Sequence, residues 1–454
     1  MTSRLMLLLV LPTLAASLLP LPPLAHSAEP LAAGTHDRVQ VAAPTRLDWV
    51  FALSNQSPAR PPAKWTAGYT STAQTYRLLV PGNLSGKPTK PAAVKLLPLV
   101  LFISPGESPG GFGAFAATAA RHGVLVASPR GAGNRCPFPR RVNIVLDVLD
   151  DLRRRFPIDP DRTYLAGFSG GGRVACTIAF ALPELFGGVI SFCAAGDLRP
   201  EPWLRHRVQE RLSVALVTGE TDFNRGEVER FRGPLLSEVG VRTRVWVEPK
   251  TGHAVPAGPV PRLFEWLEAD RPRRAKLATA WPASRITADT APNRAARAAA
   301  LLAEANKRLA SPKTLYSGLM QLKGIRVRWR GLPEARAAEK TLLEYDSRDE
   351  RPWEKQDIAQ QRRFLVARAR GIDAYGSGPL PSQYAAGRAD MLKFAITLWD
   401  QILKDGQDAD AVGQARKRIP LLRKRLGELD KKKDKKPNTK PNTKQGRPTQ
   451  KDRR

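Results

Sequence analysis

The sequence predicts an α/β chain, a mostly parallel sheet with helices on both faces, followed by an all-α region. Two observations predict it. From Tyr76 to Phe264, short apolar runs alternate with helical patterns, the signature of strand–helix–strand crossovers. Beyond Pro292 only helical periodicity remains. At 454 residues and 42% hydrophobic, the chain is long and apolar enough for two or three packed units.

Residues 1–28 read as a secretory signal peptide. Met1–Arg4 is a short positive start, Leu5–Leu19 is apolar apart from Pro12, Thr13 and Ser17, and Ala25-His26-Ser27 supplies small residues for cleavage. The alternative is a membrane anchor, which the short, proline-broken run disfavours. The reading therefore expects a secreted or periplasmic protein. Residues 29–70 are Pro- and Ala-rich and read as a loose lead-in.

Residues 71–270 carry the alternating pattern. Strands are expected at Thr75–Val80, Leu97–Ile103, Val124–Ala127, Thr163–Ala166, Val189–Phe192, Ser213–Val217 and Thr243–Val247. Helices are expected at Gly111–Arg121, Val142–Phe156, Gly170–Leu182, near Glu227–Ser237, and at Val260–Leu267. Residues 271–291 look like a basic, Pro- and Ala-rich linker. Residues 292–430 read as a separate helical domain in which Tyr316, Leu319, Leu322 and Ile325 share one face. The joints at Gly331 and Gly406 look alike, each a helix stop followed by a new start, which hints at tetratricopeptide-like pairing. Residues 431–454 have nothing to bury and read as a disordered basic tail.

The net charge of +31 is unevenly spread, with +8 over 31–270, +14 over 271–430 and +9 over 431–454. The helices offer a surface for a protein partner and the tail one for an anionic surface, although most charge runs are simply solvated. No specific nucleic-acid binding is expected, because the tail has no aromatics for stacking. The three cysteines, Cys136, Cys176 and Cys193, are too few for a four-thiol zinc site, and whether Cys136 pairs with Cys193 stays open. No metal or cofactor is expected.

The chemistry concentrates at Gly167-Phe168-Ser169-Gly170-Gly171. It fits G-x-S-x-G between a strand and a helix, where a sharp turn exposes the serine hydroxyl at the carboxyl edge of a sheet. A phosphate loop is the alternative, but the Lys-Ser/Thr ending is missing. In the fold that carries such a turn, the acid and then the base follow the serine in chain order. Only His206 and His253 follow Ser169. His253 lies after the last strand and is the preferred base, whereas two strands still follow His206. The acid should lie in Glu220-Thr221-Asp222, after Ser213–Val217. Either Asp222 or Glu220 would serve, and Asp222 lies further into the loop. Backbone donors for an oxyanion are expected at Gly170 and in the loop after Leu97–Ile103.

These residues resemble secreted α/β-hydrolases, in particular the poly(3-hydroxybutyrate) depolymerase and feruloyl esterase-like group. The resemblance rests on the strand-Pro-Gly loop, on Asp159-Pro160-Asp161-Arg162 leading to the elbow, on the Gly-x-x-Asp loop and on Gly252-His253. It covers about residues 70–270. It implies an α/β-hydrolase fold and a serine esterase acting on carboxylic esters, with Ser169 as nucleophile, Asp222 as acid and His253 as base. That group has His-Gly before the oxyanion donor where this chain has Pro105-Gly106, which leaves the Glu107 N–H as second donor beside Gly170. A prolyl oligopeptidase-like peptidase and a non-catalytic envelope binding protein on a hydrolase scaffold are the alternatives. Acyl and alcohol specificity is expected to reside in loops such as Arg130–Arg140 and Leu198–Arg211.

Overall fold

The computed structural model describes residues 28–54, 56–82, 96–285 and 293–434. The signal peptide expected at 1–28 and most of the basic tail therefore lie outside the described residues. Among the described residues no helix is long and apolar enough to cross a membrane.

Eight strands form one sheet: β1 (Gly34–Gln40), β2 (Thr75–Val80), β3 (Leu97–Ile103), β4 (Leu125–Pro129), β5 (Ile158–Phe168), β6 (Gly188–Phe192), β7 (Ser213–Gly219) and β8 (Arg242–Glu248). Their order is β1-β2-β4-β3-β5-β6-β7-β8. β2 runs antiparallel to both β1 and β4, and every other pairing is parallel. The central strands are apolar on both faces because helices cover both. All seven residues of β3 are buried, as are all five of β6.

The layers follow from the two faces. On one, α1 (Phe112–His122) and α5 (Val260–Glu268) bury Phe115, Leu263 and Phe264 against Phe102, Val126 and Ile190. On the other lie α2 (Phe138–Arg155), α3 (Gly170–Ala181) and α4 (Pro202–Arg211), with Leu149, Ile178 and Val208 packed in one cluster with Leu101 and Leu165. The segment Leu198–Arg211, expected as a pocket loop, is thus mostly helix, and Trp203, Leu204 and Val208 are core residues.

Two further stretches differ from expectation. The lead-in supplies β1, whose exposed, charged residues lack an apolar alternation because it is an edge strand. The expected linker contains a helix, α6 (Arg271–Ala280). Its Arg274 is fully buried and donates to Asp161 O, Leu267 O and the Tyr164 hydroxyl. Residues 286–292 of that segment are not among those described.

The C-terminal region is all helical: α7 (Arg294–Leu309), α8 (Leu315–Arg328), α9 (Pro333–Asp346), α10 (Glu354–Ser377), α11 (Arg388–Asp405) and α12 (Ala409–Asp434). The joints at Gly331 and Gly406 are left-handed turns, at φ 97° and 67°, followed by new helices, as the sequence suggested. α12 extends to Asp434, so Lys431–Asp434 of the expected tail belong to its last turn. These helices do not stand apart. Leu319, Leu322, Leu398 and Trp399 belong to the same apolar cluster as Leu101 and Leu165. At Gly324 an added Cβ would lie 2.7 Å from the Trp203 ring, and at Gly371 one would lie 2.6 Å from Phe231, so both contacts need glycine.

A buried ion network joins the same layers. Arg328 bridges Asp48 at 2.9 Å and Glu184 at 2.5 Å, and Arg207 reaches Glu184 at 2.7 Å. Burial alone would raise the Glu184 carboxyl, but Arg207 and Arg328 hold it down at about 2. Removing one partner strands the other without water. Arg328→Leu should therefore lower stability by about 3–5 kcal/mol in urea unfolding. The pH dependence follows from the sign of the shift. A carboxyl that titrates near 4.5 when unfolded and near 2 when folded stabilises fully above pH 4.5, and that stabilisation is lost as pH falls toward 2. Glu184→Gln should destabilise the protein at pH 7 and flatten the fall in urea midpoint between pH 4.5 and 2.

Candidate active site

Ser169 follows β5 and precedes α3, and its backbone takes φ 52° and ψ −119°. A non-glycine residue held there costs on the order of 1–3 kcal/mol and persists only where its surroundings enforce it. They do so here. Ser169 N–H donates to Phe192 O at 2.8 Å, and Ser169 O accepts from Arg173 N at 3.2 Å. The turn is also too tight for side chains beside it. A Cβ at Gly167 would lie 2.4 Å from Gly171 O, and one at Gly171 would lie 2.0 Å from Ile103 O.

Asp222 and His253 meet across the loops after β7 and β8. His253 Nδ1 lies 2.7 Å from Asp222 Oδ1. An acidic acceptor fixes the proton on Nδ1 and leaves Nε2 as the basic atom of the neutral ring. The carboxylate is fully buried and further held by Thr218 Oγ1 at 2.7 Å and Asn224 N at 3.0 Å. Asn224 in turn donates from Nδ2 to Cys193 O at 3.0 Å. The imidazole is 21% exposed. Phe223 stacks on it at 4.1 Å between centroids, and Phe168, beside Ser169, lies at 4.8 Å. The elbow and the histidine are thus neighbours, although no hydrogen bond joins Ser169 Oγ to the ring among the described contacts.

The alternatives for acid and base are engaged elsewhere. Glu220 accepts from Lys250 N at 2.8 Å, an arrangement that braces the turn after β8. His206 Nε2 lies 2.9 Å from Ser317 Oγ, so this residue links α4 to α8.

The two backbone donors lie on adjoining segments. Gly170 is the first residue of α3, where the N–H has no intrahelical acceptor. In the loop after β3 the Gly106 N–H donates to Ser104 Oγ at 3.2 Å, whereas the Glu107 N–H has no acceptor among the described residues. The segment 131–134 clamps this loop. Gly131 N donates to Glu107 O at 2.9 Å and Asn134 N to Pro105 O at 2.8 Å. The buried Arg141 donates to Ser104 O and Asn134 Oδ1, each at 3.2 Å. Asn134 also packs against Gly170, where an added Cβ would fall 2.0 Å from its Oδ1.

Thr218, Phe223, Asn224 and Arg141 were not singled out from sequence. The only available signal was that Asn224, two residues beyond Asp222, is of a type that caps its own turn. Cys193 is a further neighbour. Its Sγ and the ligand atoms of Asp222 and His253 all lie within 4.8 Å of one another. Burial and the Asp222 charge push the thiol up to about 12, and it donates to Ala254 O at 3.2 Å. The Asp222 carboxylate and the His253 imidazole are bonded to each other and the Cys193 thiol to Ala254 O, so all three groups have partners within the protein. Cys136, Cys176 and Cys193 are all free thiols.

The family "Putative esterase" matches residues 144–226, which include Ser169 and Asp222. The protein "Putative esterase NocK" of Nocardia uniformis subsp. tsuyamanensis is 34% identical over 96 residues, 21% of this chain and 27% of that protein. The chain thus spans about a quarter of the length of the curated relative it matches. Among solved structures, S-formylglutathione hydrolase FrmB of Staphylococcus aureus aligns at 14% identity over 43% of this chain and 92% of its own, with a TM-score of 0.33. The fluorophosphonate-binding serine hydrolase FphF of the same organism aligns at 17% over 43% and 92%, with a TM-score of 0.34. Est1E of Butyrivibrio proteoclasticus aligns at 14% over 45% and 95%, with a TM-score of 0.32.

The close approach at the elbow has a direct test. Gly167→Ala drives a methyl group into backbone, which cannot rotate away. Soluble yield should fall and the melting temperature should drop by several degrees, as expected for overpacking that costs about 1–3 kcal/mol or more.

Proposed function

We propose that the protein is a serine esterase that hydrolyses carboxylic esters through an acyl-enzyme. The observation that carries this reading is the 2.7 Å Asp222–His253 contact beside a serine in a strained strand-to-helix turn. The esterase family match over residues 144–226 supports the same reaction class. In this mechanism Ser169 Oγ attacks the ester carbonyl while His253 Nε2 takes its proton. The Gly170 and Glu107 N–H groups stabilise the oxyanion. The intermediate collapses, and the protonated imidazole returns the proton to the departing alkoxide, which leaves as alcohol. Water, deprotonated by the same nitrogen, then attacks the acyl-enzyme and releases the acid and Ser169. Asp222 keeps the ring in the right tautomer and stabilises its cationic form. No cofactor takes part in this scheme.

The finer reading places the chain in the poly(3-hydroxybutyrate) depolymerase and feruloyl esterase-like group, on the strength of Asp159-Pro160-Asp161-Arg162 ahead of the elbow. Export through residues 1–28 belongs to the same proposal and rests on their sequence pattern. So do a tetratricopeptide-like role for the C-terminal helices in holding a protein partner and attraction of the basic tail to anionic surfaces.

Turnover of 4-nitrophenyl acetate tests the mechanism. Ser169→Ala and His253→Ala should each lower kcat by about 10⁴–10⁶, and Asp222→Asn by about 10⁴. Glu220→Gln should stay near wild type. Wild-type rates in Ser169→Ala would refute the reading.

A further inference from the structure

We infer that the loop between α10 and α11 completes a subsite for the apolar side of an ester, on either its acyl or its alcohol part. This inference rests on the esterase reading and assigns the C-terminal helices a part in substrate selection. Pro379, Leu380 and Pro381 face Asp222, Phe223 and the segment 225–230 across an open cleft of about 380 Å³. Phe223 is 50% exposed, and its ring stacks on His253, so one wall of the cleft touches the proposed base.

The loop is tied to both sides of the site. Arg230 donates to Pro379 O at 2.7 Å. Gly378 sits so near the same guanidinium that an added Cβ would fall 1.5 Å from it. Arg388 holds Gly376 O at 2.7 Å and Gly378 O at 2.9 Å. On the elbow side, the Arg173 guanidinium lies 5.9 Å from the Tyr384 ring centroid. Arg173 is four residues after Ser169, one helical turn away. The loop therefore bridges the helix that follows the proposed nucleophile and the segment that follows the proposed acid.

The chemistry of the lining selects the ligand class. Phe223, Leu380 and two prolines offer apolar surface. Of the two cations, Arg225 is paired with Glu229 and donates to Glu220 O, and Arg230 donates to Pro379 O at the rim that the loop forms. Glu229 is taken up by the same Arg225. A neutral aryl ring or a chain of several carbons suits the apolar part of such a surface.

The test compares pairs of esters. The acyl arm sets 4-nitrophenyl 3-phenylpropanoate against 4-nitrophenyl acetate, and the alcohol arm sets 3-phenylpropyl acetate against ethyl acetate. In one arm the ratio of kcat/KM, bulky over small, should fall about tenfold in Leu380→Trp, which fills the cleft, and severalfold in Leu380→Ala. The arm that responds tells which side of the ester occupies the cleft. Leu421→Ala, an exposed site on α12, should leave both ratios at wild-type values. A thermal melt reports whether Leu380→Ala still folds, and Leu380→Trp carries the test if it does not. Unchanged ratios in both arms, with the esters still cleaved, would overturn the subsite and leave the esterase reading standing. Failure of a fluorophosphonate to label Ser169, together with no ester cleavage, would instead overturn the esterase reading and the subsite with it.

Discussion

The carboxyl edge of the sheet is organised around one backbone conformation, that of Ser169 at positive φ. A side chain in that region is strained unless its neighbours leave no other path for the chain. The neighbours here are close: β5 and α3 approach each other at Gly167 and Gly171 nearer than any Cβ would permit, and the ends of β3 and β6 press in from either side. That crowding fixes the start of α3, and with it the position of the free Gly170 N–H. The loop after β3 is then located relative to Gly170 by Asn134 and Arg141. The orientation of the hydroxyl and of the two proposed oxyanion donors thus starts from the packing at the elbow and is completed by Asn134 and Arg141.

Asp222 and His253 come from two separate loops, and their alignment has a different origin. Thr218 and Asn224 hold the carboxylate from below, and Asn224 links it to the end of β6. Phe223 and Phe168 both pack against the imidazole. Hydrogen bonds therefore set Asp222, while ring packing and the Asp222 contact set His253. Two kinds of force with different ranges converge on one pair of side chains, and the half-exposed Phe223 is the point at which that pair meets the cleft.

Much of this was legible in the sequence, for a physical reason. Buried parallel strands must be apolar on both faces, so β3 has the bounds that its apolar run suggests, Leu97–Ile103, and the antiparallel β2, buried at every second residue, has the expected bounds Thr75–Val80. The order of serine, acid and base restricts the choice of histidine before any coordinates are known. What could not be read depends on distant partners. β5 starts at Ile158, earlier than its apolar run, and the ion pairs from Arg211, Arg271 and Arg285 to Asp159 and Asp161 lie along that extension. α6 looks like a basic linker because its buried Arg274 finds carbonyl and hydroxyl acceptors far away in the chain. β1 and α10 carry many charged residues and gain their place through neighbours. Asp222 and Glu220 are distinguished only by which of them reaches the imidazole.

The Asp48–Arg328 pair has a kinetic consequence. Its partners are separated by 280 residues, while Glu184, which shares the guanidinium, is 144 residues away. Closing a loop of that length costs entropy before any contact repays it, and contacts so remote in sequence slow folding. During synthesis Glu184 emerges well before Arg328, and of its two ion-pair partners Arg207 is the one close to it in the chain. The first two-thirds of the molecule must therefore wait, with Trp203 and Phe231 uncovered, until the last third arrives. A chain assembled in this order is most exposed to misassociation in the interval between the appearance of its sheet and the docking of α8.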